Sequence, residues 1–332
     1  MEFSKRLLEV EPPESFRIAN RLTQLKKEGH PVIAMNLGEP DMDTPLNIAS
    51  AGIEAIHNGL TRYTPISGTK RLKRAIVQKF EKDNGVQFSI PEVMVSSGSK
   101  QCINNALMSI LNPGDEVIIP APYWSPYPDM VKVAGGKPVI VQSKDQRSFK
   151  LTPETLRKKI TRKTKILIIN SPNNPTGVIY SKEELEKLGE VLRDFPYVYI
   201  ISDDVYEKVL WSDEPFCNMI MACPDLRNRI ITINSVSKSH AMTGWRIGFA
   251  AADETMISAM TKIQSHTSAC PNSIAQYAAR EALECDQTMI REHCDHYQEN
   301  HNLVMQRLGQ IEGIEIHPAD GTFYLFPNIE KL

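Results

Sequence analysis

The sequence predicts an α/β fold in which helices flank a mostly parallel β-sheet, with a smaller second domain. Short apolar runs rich in β-branched residues recur along the chain, and helical stretches with capping signals separate them. Strands that alternate with helices need crossover connections, which make neighbouring strands parallel. A length of 332 residues exceeds what one ordinary hydrophobic core organises, which is why we expect the second domain.

Six apolar runs are the predicted strands. They carry apolar residues at successive positions, which is typical of strands that are covered on both faces. The runs are 93–96 (VMVS), 116–120 (EVIIP), 137–141 (KPVIV), 165–170 (KILIIN), 197–202 (YVYIIS) and 229–234 (RIITIN).

Two of the intervening helices have recognisable first turns. Ser181 is followed three residues later by Glu184, which is a capping box, and Thr152 precedes a proline at the first helical position. The helix that begins after Ser181 has one apolar face, formed by Leu185, Leu188, Leu192 and Phe195.

Composition excludes several classes of partner and compartment. The formal net charge is −2, so no global positive field draws the chain to nucleic acid or to an anionic membrane. The six cysteines are scattered without a C-x-x-C pair, which fits free thiols in a reducing compartment. Neither an export signal nor an apolar run of membrane-spanning length is present, so we expect a cytoplasmic protein.

A polar, turn-forming cluster follows five of the predicted strands. In open α/β sheets, ligands bind beyond the carboxyl ends of the strands, so we expect these clusters to converge on one crevice. The clusters are 97–100 (SGSK), 121–124 (APYW), 171–177 (SPNNPTG), 202–206 (SDDVY) and 235–238 (SVSK).

Lys238 is the first candidate for chemistry. A lysine is most often a solvated surface residue, but apolar residues flank this one on both sides. A partly desolvated amine has a lowered pKa and can form a Schiff base. The hydroxyls of Ser235 and Ser237 and the guanidinium of Arg246 suit a phosphate.

Three further positions have both a functional and a structural explanation. The turn at Gly98, Ser99 and Lys100 opens a predicted helix and could bind an anion, or could be an ordinary helix cap. Asp203 at a strand end needs a cationic or donating partner if it is buried, but it could also cap a helix. Asn174 could act in the site or simply form a turn.

Six segments together resemble a known family: GEPDMDTP, YTPISGTKRLKRAI, APYWSPY, NSPNNPTGVIYS, SDDVYE and SVSKSHAMTGWRIGFA. They resemble the class I aminotransferases of the pyridoxal-phosphate fold type I superfamily, close to the bacterial aspartate aminotransferase branch. The resemblance covers essentially the whole chain, and S-x-S-K followed by M-T-G-W-R-I-G is a specific signature.

The resemblance implies a large pyridoxal-phosphate-binding domain over 41–288 and a small α+β domain formed by 1–40 and 289–332. In the family, the chain continues beyond the segment GTFYLFPNIEKL to an arginine that clamps the substrate α-carboxylate. The sequence stops at Leu332, so we expect an incomplete small domain without that clamp, which leaves the activity of this chain open.

The resemblance also implies the role of each site residue. Lys238 would form the Schiff base with pyridoxal phosphate and shuttle the proton, while Asp203 pairs with the pyridine nitrogen. Tyr206 and Asn174 would bond the ring's 3′ oxygen, and Trp124 would stack on the ring. The phosphate ligands would be Gly98, Ser99, Lys100, Ser235, Ser237 and Arg246. The substrate would contact Gly38, Trp124 and Asn174.

By the same resemblance, Tyr63 would reach the phosphate bound in the other subunit, which implies a homodimer with shared sites. The implied reaction moves an amino group from an L-amino acid, aspartate above all, to a 2-oxo acid such as 2-oxoglutarate. It would proceed by a ping-pong mechanism.

Two other functions stay open at this point. A pyridoxal-phosphate-dependent lyase or decarboxylase of the same fold could use every cofactor contact. The other is a truncated, non-catalytic protein that binds the cofactor. A regulator of that kind usually adds a DNA-binding module, and this chain has no excess of basic residues for one.

We expect no metal site, because His293, Cys294, Asp295 and His296 lack a second ligand cluster and are typical of a solvated helix.

Overall fold

The computed structural model describes residues 3–12, 14–143 and 148–332. In this part of the chain, seven strands form one sheet in the order β1-β7-β6-β5-β4-β2-β3. The strands are β1 Val93–Ser96, β2 Glu116–Ala121, β3 Lys137–Gln142, β4 Thr164–Asn170, β5 Tyr199–Asp203, β6 Ile230–Ser235 and β7 Gly248–Ala251.

The sheet is mostly parallel. Strands β2 to β6 pair in parallel with their neighbours among themselves, whereas β7 is antiparallel both to β6 and to β1. Strands β1 to β6 therefore all run in one direction and place their carboxyl ends at one edge. This arrangement confirms the predicted α/β class, and each of the six predicted strands is present.

Sequence reasoning did not identify strand β7. Its sequence is GFAA, which is short and contains residues with little intrinsic strand preference. All four residues are buried between two hydrogen-bonded neighbours, so tertiary pairing forms this strand.

Helices cover both faces of the sheet. The described helices are α1 Lys5–Leu8, α2 Glu14–Lys27, α3 Leu46–His57, α4 Lys70–Asn84, α5 Ser99–Ile110, α6 Tyr127–Val133, α7 Pro153–Lys159, α8 Lys182–Arg193, α9 Met219–Ala222, α10 Glu254–Thr267, α11 Ser273–Glu284 and α12 Thr288–Leu308. One core holds side chains from α4, α8 and α11, and the other holds side chains from α5, α6 and α10.

Strand β4 shows how the sheet serves both cores. Ile166 and Ile168 belong to one core, whereas Leu167 and Ile169 belong to the other, because successive strand residues point to opposite faces. Each such buried side chain contributes about 1.5–3 kcal/mol of transfer free energy. The sheet therefore forms a rigid base for the loops at its carboxyl edge.

The two predicted helix starts are confirmed. The hydroxyl of Ser181 accepts a hydrogen bond from the amide of Glu184, whose carboxylate accepts one in return from the amide of Ser181. The hydroxyl of Thr152 accepts from the amide of Thr155 at the start of α7. Within the described ranges, no helix combines the length and apolar character needed to cross a bilayer.

Candidate active site

A cavity of about 560 Å³ lies at the carboxyl edge of the sheet. Residues that follow β1, β2, β4, β5 and β6 line it, together with residues from the segments 36–38 and 324. Of the predicted site residues, the lining includes Gly38, Ser99, Lys100, Trp124, Asn174, Asp203, Tyr206 and Lys238.

Lys238 is half-buried in the loop after β6. Its amine donates a hydrogen bond to the carbonyl of Gly38 and lies 5.6 Å from the centroid of the Phe323 ring. Burial lowers the pKa of Lys238 to about 8; the charge of Glu39 opposes this shift, and that of Arg246 adds to it. At neutral pH, a useful fraction of this amine is therefore unprotonated and nucleophilic.

Asp203 is buried at the end of β5. Its carboxylate accepts a hydrogen bond of 2.5 Å from the hydroxyl of Tyr127, and a longer one of 3.4 Å from the amide of Val205. Burial raises the pKa of Asp203 to about 6, although these hydrogen bonds act in the opposite direction. A carboxylate that is costly to bury alone is well suited to a cationic N–H donor.

Tyr206, Asn174 and Tyr324 form a hydrogen-bonded triangle on the cavity wall. The two tyrosine hydroxyl oxygens are 2.6 Å apart, and the side-chain amide of Asn174 donates to them over 3.2 Å (Tyr324) and 3.5 Å (Tyr206). The backbone N–H of Asn174 donates to the side-chain carbonyl of Asn170, the last residue of β4. Burial raises the pKa of Tyr206 well above its ordinary value, so this hydroxyl is neutral and able to donate.

Gly98 and Arg246 are in direct contact beside the start of α5. Gly98 caps this helix with φ +89°, and an added Cβ would lie 2.2 Å from one terminal nitrogen of Arg246. The guanidinium donates to the carbonyl of Thr243 at 2.8 Å. The first turn of α5 and the exposed guanidinium together form a cradle that could hold an anion.

The remaining predicted residues differ in their burial and contacts. Ser235 and Ser237 are buried, and the amide of Ser237 donates to the hydroxyl of Ser235 at 3.2 Å. The Lys100 ammonium lies 5.0 Å from the centroid of the Trp124 ring. Tyr63 is 94% exposed and lies outside the lining of the cavity.

Sequence reasoning missed three residues of the site. Asn170 ends a predicted strand and Tyr127 lies within the quoted segment APYWSPY, so both had a local signal. Tyr324 lies within the segment GTFYLFPNIEKL, but nothing local places it beside Asn174, from which it is 150 positions away in the chain.

Two of the four helix residues that were considered as metal ligands have other partners. The Cys294 thiol donates to the carbonyl of Lys208, and the ring of His296 lies 3.1 Å from the carboxylate of Asp41. Over the described ranges, no group of three or more histidine, cysteine or acidic side chains could hold a metal ion.

Comparison with known proteins identifies the family. The model of the aminotransferases of class I and II matches residues 30–332. This chain belongs to that family. An aspartate/prephenate aminotransferase of Nitrosomonas europaea is 44% identical over 331 residues, covering 100% of this chain and 83% of that protein. An aspartate aminotransferase of Geobacillus stearothermophilus is 43% identical, with coverages of 100% and 84%.

Solved aminotransferases have the same fold. The aspartate aminotransferase of Rhizobium meliloti superposes with a TM-score of 0.97 at 40% identity, covering 100% of this chain and 83% of that one. The enzyme of Thermus thermophilus with maleate gives a TM-score of 0.92 at 34% identity, with coverages of 98% and 85%. The protein is therefore an aminotransferase, and the predicted family and reaction class are confirmed.

Pyridoxal phosphate is the cofactor of this aminotransferase family, and the residues present fit it. The buried carboxylate of Asp203 suits a protonated ring nitrogen, and the Lys238 amine suits an aldehyde in the same cavity. The cradle at Gly98 and Arg246 leaves no room for a Cβ and offers donors to a dianion.

Proposed function

We propose that the protein transfers the amino group of L-aspartate to a 2-oxo acid such as 2-oxoglutarate, with pyridoxal phosphate held at Lys238. One observation carries this proposal: the amine of Lys238, with its pKa lowered to about 8, lines the same cavity as the buried carboxylate of Asp203. The names of the relatives support aspartate as the donor and prephenate as a second 2-oxo acid to test.

Each part of the cofactor would have its own set of residues. Asp203 would bind the ring nitrogen, Tyr206 and Asn174 the ring oxygen, and Trp124 the face of the ring. The phosphate would lie in the cradle of Gly98 and Arg246, with Ser99, Lys100, Ser235 and Ser237. When bound, pyridoxal phosphate supplies an electron sink for the electrons left at the substrate α-carbon when its proton departs.

The protein residues tune this sink and move the proton. A charged hydrogen bond that the Asp203 carboxylate accepts from the ring N–H would be worth roughly 1.5–3 kcal/mol and would keep the proton on the ring nitrogen. The Lys238 amine would hold the cofactor, and the amine of an incoming substrate would free it. The freed Lys238 amine would then take the proton from the substrate α-carbon, which is general base catalysis.

The reaction divides into two halves. In the first, aspartate would give up its amino group in the site and depart as a 2-oxo acid whose carbonyl oxygen comes from water. In the second, another 2-oxo acid would enter the same site, with Gly38, Trp124 and Asn174 as contacts, take the amino group and release its carbonyl oxygen as water. Because one site serves both halves, the protein should show ping-pong kinetics.

We also propose a homodimer. Tyr63 is almost fully exposed, and Leu46, Ile53 and Ile56, whose spacing places them on one face of α3, are exposed as well. Exposed apolar side chains of this kind mark an interaction surface. In the dimer, Tyr63 would reach the phosphate cradle of the other subunit.

We propose further that each subunit has two domains. Residues 41–288 would form the large domain, and residues 1–40 and 289–332 would form the small one.

Trapping the cofactor tests the proposal. Pyridoxal phosphate is added, the protein is reduced with borohydride, and the tagged peptide is located by mass spectrometry. We expect the tag on Lys238, none in Lys238→Ala, and an unchanged tag in a control variant of the exposed Lys262, Lys262→Ala. A tag elsewhere would contradict the site.

Substrate addition tests the reaction. L-Aspartate should bleach the absorption of the bound cofactor and release oxaloacetate, and 2-oxoglutarate should restore the absorption. Release of pyruvate with ammonia, or of CO₂, would indicate a lyase or decarboxylase. An unchanged spectrum with every amino donor would indicate a protein that only binds the cofactor.

A further inference from the structure

Tyr324 brings a late segment of the chain into the cavity wall. Its hydroxyl oxygen lies 2.6 Å from that of Tyr206 and 3.2 Å from the side-chain amide of Asn174. It also contacts the backbone of Gly38, where an added Cβ would overlap the hydroxyl. One hydroxyl therefore touches three residues to which the proposed function gives a role.

The segment that carries Tyr324 is fixed to both loops of the site. On the loop of Asn174, the amides of Asp320 and Gly321 donate to the carbonyl of Gly177 at 3.0 and 3.1 Å. On the loop of Tyr206, the amide of Thr322 donates to the carbonyl of Val209 at 2.8 Å.

The indole N–H of Trp211, in the same loop, donates to the carbonyl of Ala319 at 2.9 Å. The position of the Tyr324 hydroxyl is thus set from both sides, and the loops of Asn174 and Tyr206 are held relative to each other.

Counting protons defines what this hydroxyl can do. Each tyrosine hydroxyl has one proton, and the Asn174 amide nitrogen only donates, so one proton lies between the two tyrosine oxygens. When Tyr324 donates to Tyr206, the proton of Tyr206 is left for an acceptor in the cavity. A hydroxyl that accepts a hydrogen bond is also a stronger donor.

We propose that Tyr324 is a positioning residue that donates to Tyr206 and thereby directs the Tyr206 hydroxyl proton to the ring oxygen of the cofactor. This inference rests on the proposed function, because Tyr206 must contact that oxygen. A hydrogen bond to the anionic form of the ring oxygen favours that form, so Tyr324 lowers the pH at which the bound cofactor loses its proton.

A pH titration of the absorption of the bound cofactor tests this role. The proteins are the wild type, Tyr206→Phe, Tyr324→Phe, the double variant and the control Tyr197→Phe. Tyr197 is a suitable control because its hydroxyl donates to the carbonyl of Thr161, outside the cavity. We expect Tyr206→Phe to raise the midpoint by about one pH unit and Tyr324→Phe by roughly half as much. The double variant should match Tyr206→Phe, and the control should match the wild type.

Each outcome decides between alternatives. A wild-type midpoint in Tyr324→Phe would overturn the inference. A midpoint in the double variant higher than in Tyr206→Phe would also overturn it, because Tyr324 would then act on the cofactor without Tyr206. Failure of the wild type to form a titrating band would instead refute the proposed function, and the inference with it. The loss of one hydroxyl keeps the ring packing, and urea unfolding checks that Tyr324→Phe is folded.

Discussion

The substitution Gly98→Ala should weaken cofactor binding by more than its cost in backbone strain explains. At Gly98, φ is +89° and ψ is 161°, a region that only glycine adopts readily. A residue with a Cβ costs about 1–3 kcal/mol there. Gly114 is a matched control, because it has the same φ of +89° but no atom within 4 Å of an added Cβ.

The structure gives the size of the additional effect at Gly98. The new Cβ would lie 2.2 Å from the guanidinium of Arg246, so the guanidinium must retreat by about 1.2 Å to reach ordinary contact at 3.4 Å. A displacement of this size breaks a hydrogen bond to a charged group, which is worth roughly 1.5–3 kcal/mol. The affinity for pyridoxal phosphate should therefore fall by roughly 10- to 100-fold.

Two measurements on each variant test this reasoning. Urea unfolding of the cofactor-free protein should show destabilisation of both variants, because both acquire a side chain at positive φ. Absorption titration with pyridoxal phosphate should show weakened binding in Gly98→Ala alone. If Gly98→Ala binds the cofactor as tightly as Gly114→Ala, Arg246 does not hold the phosphate.

Three further predictions concern buried charges. The pKa of Asp203 is raised to about 6 from its usual 3.8, so its contribution to the unfolding free energy of the cofactor-free protein falls as pH rises between these values. The unfolding free energy of the wild type, measured in urea at pH 4 and pH 7, should therefore fall between these pH values by about 1–3 kcal/mol more than that of Asp203→Asn. The same pH dependence in both proteins would refute the raised pKa. Lys79 pairs with Glu207 where both side chains are about 95% buried, so Lys79→Met should cost about 3–5 kcal/mol in urea unfolding. Lys187→Met, in an exposed pair with Glu183, should cost far less because water already solvates both charges, and equal costs would contradict this reasoning. Because burial lowers the pKa of Lys238 to about 8, the initial rate of borohydride-trappable attachment to pyridoxal phosphate should rise as pH rises through 8, and a rise centred near 10 would show a solvated amine.

Most of the sheet could be predicted from sequence because its signals are local. Runs of apolar residues define buried strands, and the capping box at Ser181 defines the start of α8. Strand β7 could not be predicted, because its sequence has little strand preference and one of its two pairings is with β1, more than a hundred positions away in the chain. Local preference is a weak guide where tertiary contacts decide.

The site follows the same division. The shared cavity of residues directly after strands, such as Asp203 and Lys238, could be predicted because the parallel sheet brings the carboxyl ends of its strands together. Tyr127 and Tyr324 act through hydroxyl contacts of 2.5 and 2.6 Å, and no periodicity or composition indicates such contacts. They depend on how helix α6 and the segment at 319–324 pack against the loops.

The contact of Lys238 with Gly38 spans 200 positions, and that of Tyr324 with Asn174 spans 150. During translation at about 5–20 residues per second, roughly 15–60 s separate the synthesis of Gly38 from that of Tyr324. Until Tyr324 has left the ribosome, Tyr206 lacks its hydroxyl partner and the loops of Asn174 and Tyr206 are not yet tied together. The nascent chain therefore completes this cavity late, after most of the sheet has been synthesised.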